Sequence, residues 1–185
     1  SKLDNKLKNS IIKVFESLAI SEGKVHGINA EDVHFHEIGA IDSLVDIIGV
    51  CAAINYLNPK KIYCNEPNLG KGFVQTEHGK LSIPSPAVID LLSKSDIKVS
   101  SSFSSIDGEL STTTGIALIT NLVDSFAYPT KYSIRSYGVG IGNLQFSFPN
   151  LVRVLQISSF ANEDEGEITN PKSEKICVQE TWIDD

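Results

Sequence analysis

The segment DSLVDIIGVCAAINYL, residues 42–57, restricts the possible folds more than any other part of the chain. After its first turn it carries apolar side chains on nearly every side, and Asp42 and Ser43 suit the N-cap region of a helix. A helix that is apolar all round is normally buried by other elements. The sequence therefore predicts that residues 42–57 form the central buried helix of the fold.

An amphipathic helix is predicted ahead of that segment. Residues 3–20 carry apolar side chains at helical spacing, and Gly23 is available as a terminator. Asn29 or Glu31 is then expected to start a short turn before His34. This first helix should pack one face against the core.

The middle of the chain predicts two further helices. Ser85 can cap a helix with Pro86 at its first position, and the apolar pattern continues to about Ser93. Residues 112–123 predict another helix with a hydroxyl-rich start. Strands are expected at residues 61–64, 131–141 and 151–159, with a hairpin at 72–83 that turns near His78 and Gly79.

These elements predict an α/β (α+β) fold, with short helices packed on a small mixed β-sheet. Residues 161–174 are polar and acidic and contain Gly and Pro, which favours a linker. We therefore expect one domain over residues 1–160. Residues 175–185 are expected to begin a second, truncated domain.

Composition excludes several classes of protein. Sixteen basic and 23 acidic residues give a net charge of -7, without a dense basic cluster, so nucleic acid is not an expected partner. No apolar run approaches the roughly 18 residues that a membrane span requires. Cys51, Cys64 and Cys177 lie far apart, which is typical of reduced thiols in a cytoplasmic protein.

A candidate metal site lies around His34 and His36. In an extended segment the two imidazoles would project to the same side, whereas a helix would place them on nearly opposite faces. Asp42 and Asp46 are four positions apart on the predicted helix, so their carboxylates would share one face. Such nitrogen and oxygen donors suit a transition metal or Mg²⁺. The alternative is structural: His34 as a hydrogen-bonded helix-entry residue, Glu37 as a capping partner and Asp46 facing a neighbouring strand.

A candidate phosphate site lies in GELSTTTG, residues 108–115. Backbone N–H groups and hydroxyls at the start of an apolar helix can hold a phosphate. The segment lacks the lysine of a Walker loop, and a Thr N-cap with Gly115 for close packing explains it equally well. SYGVGIGN, residues 136–143, is not followed by a helix pattern, so a dinucleotide-binding fold is rejected.

Taken in order, several segments together resemble the nickel insertase (LarC) family of nickel-pincer cofactor biosynthesis. The resemblance runs from about residue 10 to 185. It is carried by KVHG, VHFHEIGAIDSLVDIIG, KIYCNEPNLGKGFVQTEHG, IPSPAVIDLL, GELSTTTG, YGVGIGN with FPNLVRVL, and ETWIDD. Trp182 stands where the family usually has Asn. The chain lacks the family's opening strand with its DCFSGISGDM-like motif, and it ends before the family's C-terminal domain, so it is expected to be a fragment whose own activity the sequence leaves open.

The resemblance implies an activity and its cofactors. Members of this family are implied to be chelatases of the lyase class that use CTP, with Mg²⁺ or Mn²⁺. They insert Ni²⁺ into pyridinium-3,5-bisthiocarboxylic acid mononucleotide and so make the cofactor of lactate racemase. A homo-oligomer is expected.

The resemblance also implies site residues. A metal-binding group matches the family's H-F-H-E-x-G-A-x-D-S-x-x-D motif and its A-H-G turn: His34, His36, Glu37, Asp42, Asp46 and His78. The histidines are implied to gather or pass nickel while the carboxylates orient them. Glu109, Thr112 and Thr114 match the G-E-x-x-T-P-T-G segment, with Thr113 in place of proline, and are implied to bind a phosphate of the precursor or nucleotide.

A rival interpretation belongs to another class of protein. In it the chain is a noncatalytic scaffold or oligomerisation module, the HFHE segment is structural, and the hairpin edges mediate self-association. Metal stoichiometry separates the two, since the scaffold binds no nickel.

Overall fold

The computed structural model describes residues 4–33, 41–76, 79–100, 102, 105–159 and 176–180. The helices are α1 (Asn5–His26), α2 (Ile41–Leu57), α3 (Pro86–Ser93) and α4 (Thr113–Leu122), with a short 3-10 helix at Ala30–Asp32. The strands are β1 (Lys61–Cys64), β2 (Gly70–Thr76), β3 (Gly79–Ile83), β4 (Gly108–Glu109), β5 (Tyr132–Ile141), β6 (Leu151–Ser159) and β7 (Ile176–Glu180). Among the described residues, no helix is long and apolar enough to cross a membrane.

Helix α1 is longer than its apolar pattern predicts. Asp4 caps its start by accepting a hydrogen bond from the Lys6 N–H at 3.3 Å. The prediction that Gly23 ends the helix is wrong, because the helix continues to His26 and ends at Gly27, which adopts the left-handed conformation at φ 67°. Gly23 instead lies where the chain returns against α1, since a Cβ there would be 2.8 Å from the Ile28 carbonyl oxygen.

One compact unit comprises residues Ser1–Tyr56 and Glu66–Leu122. In it α1, α3 and α4 pack against one another. The core side chains of these helices include Val14, Leu18, Val88, Leu91, Ile116 and Ile119. The same unit contains an antiparallel three-stranded sheet in the order β3-β2-β4.

A buried carboxylate joins α1 to α3. The Asp90 side chain accepts hydrogen bonds from Lys24 Nζ at 2.5 Å, from Ser21 Oγ at 2.8 Å and from Lys94 Nζ. Burial raises the pKa of Asp90, but these three donors lower it more, so the pKa falls to about 2. The carboxylate is therefore paired as an anion, which offsets its desolvation.

The prediction that residues 42–57 form the central buried helix is wrong. Helix α2 forms at the predicted place, but only Ile47 and Cys51 among its side chains are buried. Its large exposed apolar side chains are Ile41, Leu44, Val45, Ile48, Val50 and Tyr56. An apolar side chain is buried only where another element covers it. Within the described residues, α2 is covered on one narrow face.

A second compact unit comprises residues Leu57–Asn65 and Val123–Asp185. Its four-stranded sheet has the order β1-β7-β6-β5, with β7 parallel to β1 and antiparallel to β6. Tyr63, Leu155 and Ile157 form the core of this unit, and Tyr128 packs against it. The Asp124 carboxylate accepts a hydrogen bond from the Ile62 N–H at 2.7 Å, which fixes the chain beside β1.

The α+β fold class is confirmed, and so are most of the predicted elements. The structure contains the strands near residues 61–64, 131–141 and 151–159, the hairpin of β2 and β3, and both helices of the middle region. The division at 161–174 stays a prediction, because residues 160–175 lie outside the described chain.

Candidate functional site

The start of α3 is fixed by a side-chain cap. Ser85 Oγ accepts a hydrogen bond from the Val88 N–H at 3.4 Å, and Pro86 occupies the first turn. Proline suits this position because the first helical N–H has no partner within the helix. The cap confirms the prediction made from IPSPAVIDLL, and it places a buried hydroxyl at the N-terminus of α3.

The start of α4 is capped in the same way by Thr112. Its Oγ1 accepts a hydrogen bond from the Gly115 N–H at 3.1 Å, and its carbonyl accepts one from Ile116 N–H at 2.9 Å. The preceding residue, Ser111, donates from Oγ to the Asn68 carbonyl at 2.6 Å. The loop before α4 is therefore attached to the chain just before β2.

The N-termini of α3 and α4 lie side by side. Ser85 Oγ and Thr113 Oγ1 are 3.3 Å apart, although the two residues are 28 positions apart in sequence. Each helix N-terminus carries a partial positive charge, so two adjacent N-termini attract an anion more strongly than one. We call Ser85, Thr112, Thr113 and Thr114 the hydroxyl cluster.

The hydroxyl cluster has donors available for a ligand. Within the described chain, the N–H groups of Thr113 and Thr114 have no acceptor, as is usual for the first turn of a helix. Thr112 is exposed and Thr113 and Thr114 are half-buried, so this end of α4 is accessible. The Thr112 hydroxyl accepts a hydrogen bond from Gly115 and retains its own proton to donate.

Glu109 lies on β4, three positions before Thr112, and pairs across the sheet with Gly70. Its side chain is half-buried, and this burial raises the pKa of its carboxyl. Burial therefore favours the neutral form of Glu109. A neutral carboxyl donates a hydrogen bond and does not repel an anion.

The predicted metal ligands are only partly within the described residues. Asp42 and Asp46 lie in the first two turns of α2, and both side chains are exposed. His34, His36, Glu37 and His78 lie outside the described residues. Over the ranges that the structure describes, no three His, Cys, Asp or Glu side chains lie together as a metal site. The metal site stays a prediction.

Two members of the hydroxyl cluster were missing from the residues predicted to bind phosphate. Ser85 was identified only as a helix cap. Thr113 lay in the candidate phosphate segment 108–115 but was not among the residues that the family motif implied. Local sequence gives Ser85 its capping role, but its contact with Thr113 depends on how α3 packs against α4. No spacing pattern in the sequence indicates it.

Together, the fold and the hydroxyl cluster define an α+β protein with a paired helix-terminus site suited to an anion. The chain belongs to the nickel insertion protein family, whose model matches residues 1–185. No solved structure matches the chain.

Several relatives carry names that describe nickel insertion. A protein of Acaryochloris marina is 41% identical over 94% of the chain and 41% of its own length. One of Rippkaea orientalis is 42% identical over 94% of the chain and 40% of its length. A Thermotoga protein named pyridinium-3,5-bisthiocarboxylic acid mononucleotide nickel insertion protein is 39% identical over 83% of the chain and 37% of its length. The chain thus spans about two fifths of the length of these relatives.

Proposed function

We propose that this chain is part of an enzyme that inserts nickel into pyridinium-3,5-bisthiocarboxylic acid mononucleotide, producing the nickel-pincer cofactor of lactate racemase. We further propose that the hydroxyl cluster binds the phosphate of that mononucleotide. The family and the name of the Thermotoga relative support the reaction. The 3.3 Å contact between Ser85 and Thr113, which joins two helix N-termini, supports the phosphate site.

The chemistry of the cluster suits a phosphate monoester. The N–H groups of Thr113 and Thr114 and the hydroxyls of Thr112 and Thr114 would donate to phosphate oxygens. Burial raises the pKa of the Glu109 carboxyl, which reduces the cost of protonating it beside a bound phosphate. These groups bind and orient the substrate and take no part in breaking bonds.

Nickel, the second substrate, is proposed to bind the residues of the family motif. These are His34, His36, Glu37, Asp42, Asp46 and His78. Imidazole and carboxylate donors suit Ni²⁺, and the exposure of Asp42 and Asp46 on α2 keeps their oxygens accessible. Binding requires neutral imidazole, so nickel affinity should fall as the pH falls through the histidine range.

Further properties of the proposed enzyme rest on the sequence and on its resemblance to the family. CTP with Mg²⁺ or Mn²⁺ is proposed to drive the insertion, which would be a chelatase reaction of the lyase class. A homo-oligomer in the cytoplasm is proposed as the working form. A CTP-hydrolysis assay of the full-length protein, with and without nickel, tests the first of these.

The phosphate site is tested by titrating the chain with the pyridinium mononucleotide and with its dephosphorylated nucleoside. We expect the mononucleotide to bind more tightly, and we expect Thr112→Val/Thr114→Val to weaken its binding by about tenfold or more, which is about 1.4 kcal/mol. Binding of the nucleoside should not change. Thr120→Val is the matched control, because Thr120 lies on α4 and donates to the Ala117 carbonyl within the helix. Equal affinity of wild type and double variant for the mononucleotide would exclude this site.

The exposed surface of α2 favours a second candidate, a scaffold or oligomerisation module. Val45 is 61% exposed and Ile48 is 42% exposed, so association could bury apolar area on this helix. Sedimentation of the wild type and of Val45→Glu/Ile48→Glu tests it. Dissociation of an oligomer by the double variant, with no nickel bound to the wild type, would favour the scaffold over the insertase.

A further inference from the structure

Strand β5 lies at the edge of its four-stranded sheet. It pairs with β6 on one side, and no strand within the described residues pairs with its other side. A β-bulge between Ile134 and Ser136 interrupts the pairing early in the strand, and from Ser136 to Ile141 the register is regular. The open edge of a strand presents unpaired N–H and C=O groups that another extended chain can use. The regular part of β5 is therefore a candidate interaction surface.

One hydrogen bond fixes which backbone groups of β5 point outward. The Gly142 N–H donates to the Asn150 carbonyl at 2.9 Å, and this bond continues the register of β5 and β6. In an antiparallel ladder, residues that bond to the neighbouring strand alternate with residues that point away from it. The even-numbered residues of this part of β5 therefore bond to β6. The N–H and C=O groups of Tyr137, Val139 and Ile141 face the open edge.

The same three residues carry exposed apolar side chains. Alternate residues of a strand share one face of the sheet, and Tyr137, Val139 and Ile141 are 74%, 48% and 83% exposed. On the other face Gly138 and Gly140 have no side chain, and a Cβ at either would meet no other part of the chain within 4 Å. An incoming strand would thus find an open backbone, apolar side chains on one face and no obstruction on the other.

The open edge of β5 lacks the side chains that usually protect a sheet edge. Soluble proteins commonly place lysines, other charges or prolines on exposed edge strands, which discourages pairing with another chain. Residues 136–144 contain no charged residue and no proline. Arg135, the sole charged residue of β5, donates from Nε to Ser158 Oγ of β6 at 2.9 Å. Residues 136–144 therefore carry no charge that would repel an identical strand.

The sequence of this edge is complementary to itself. When two copies of β5 pair antiparallel about a two-fold axis at Val139, each Tyr137 lies opposite Ile141 of the other copy. The outward N–H and C=O groups of both copies then bond to one another, and the aromatic and β-branched side chains form stabilising cross-strand pairs. We propose that the chain dimerises in this way, with one continuous sheet running through both copies. The proposal rests on the homo-oligomer proposed above, whose surface it names, and not on the nickel reaction.

Sedimentation of the chain over a range of concentrations tests the proposal. We expect a dimer, and we expect Tyr137→Lys/Ile141→Lys to raise its dissociation constant by about tenfold or more, because each lysine then lies opposite a lysine of the other copy. Both replaced side chains are exposed, so the variant should keep the circular dichroism of the wild type. A wild type that stays monomeric, or a dimer that this variant leaves intact, would overturn the proposal.

Tyr137→Lys/Ile141→Glu is the matched control, because in the proposed register it places each lysine opposite a glutamate of the other copy. It should dimerise about tenfold more tightly than the variant with two lysines. Equal weakening by the two variants would overturn the antiparallel register. Dissociation of the dimer by Val45→Glu/Ile48→Glu, and not by the lysine variant, would assign the interface to α2 instead.

Hydrogen exchange gives a second readout that depends on which amides face the open edge. Raising the concentration of the wild type should slow exchange at Tyr137, Val139 and Ile141, while Gly138 and Gly140, which bond to β6, should change little. Exchange that shows no such alternation would contradict pairing through β5. A monomeric chain that still binds nickel and the mononucleotide would overturn this dimer and leave the proposed reaction standing. A dimer that binds neither would do the reverse.

Discussion

At the scale of single residues, the fold depends on how it satisfies the buried carboxylate of Asp90. Its three donors come from α1 and from the end of α3, so the same contacts that pair the charge also hold two helices together. Lys24 is 67% exposed and can return to water when the carboxylate is removed. Removing the Asp90 carboxylate should therefore lower the free energy of unfolding by a moderate amount.

We expect Asp90→Asn to lower the free energy of unfolding by about 1–3 kcal/mol at pH 7, because it removes charged hydrogen bonds from a buried site. The folded pKa of about 2 lies below the ordinary value of 3.8. The stabilisation is thus complete above about pH 4 and is lost as the pH falls towards 2. Urea unfolding of the wild type and of Asp90→Asn, at pH 7 and at pH 2, measures this stabilisation. Asp96→Asn is the control, because Asp96 is exposed. If Asp90→Asn lost as much unfolding free energy at pH 2 as at pH 7, the low pKa of the paired Asp90 carboxylate would be contradicted.

At the scale of elements, the sequence predicts local structure well where the cause is local. Ser85 and Pro86 specify the start of α3, and the apolar periodicity specifies α1. The end of α1 was misplaced because two glycines, Gly23 and Gly27, both suit a terminator, and only the return of the chain against Gly23 distinguishes them. The two-residue strand β4 has too few residues for any periodic pattern.

The burial of α2 could not be read from its composition, because burial depends on which other elements cover each face. Two adjacent residues test this. Ile47 is fully buried, so Ile47→Ala should cost about 2–5 kcal/mol of unfolding free energy. Ile48 is 42% exposed, so Ile48→Ala should cost less than about 1 kcal/mol. Urea denaturation compares the two, and equal losses would mean that a further partner covers α2 in solution.

At the scale of the whole molecule, each of the two units is built from two separate stretches of the chain. Residues Leu57–Asn65 lie in sequence between parts of the first unit, yet β1 joins the sheet of the second. Strand β7, from beyond the predicted linker, pairs with β1 on one side and with β6 on the other. Such long-range pairings have no local sequence signal. The contact between Ser85 and Thr113 at the candidate site was unpredictable for the same reason.

Because β7 is a central strand of its sheet, a proline in it should destabilise the second unit. Val178 pairs with Tyr63 of β1 and with Leu155 of β6, so its backbone lies inside the sheet. Val178→Pro removes one N–H from the ladder and should destabilise the sheet by about 1–3 kcal/mol. Hydrogen exchange should then speed up at the amides of β1 and β6, with the amides of α1 and α4 as the internal reference for global unfolding.

Val178→Ala is the matched control for that experiment, because it shortens the side chain and keeps the N–H. We expect it to leave the exchange rates of β1 and β6 much closer to those of the wild type than Val178→Pro does. If the proline variant protects β1 and β6 as well as the alanine variant does, β7 does not lie between them. In that case the four-stranded order β1-β7-β6-β5 would not hold in solution.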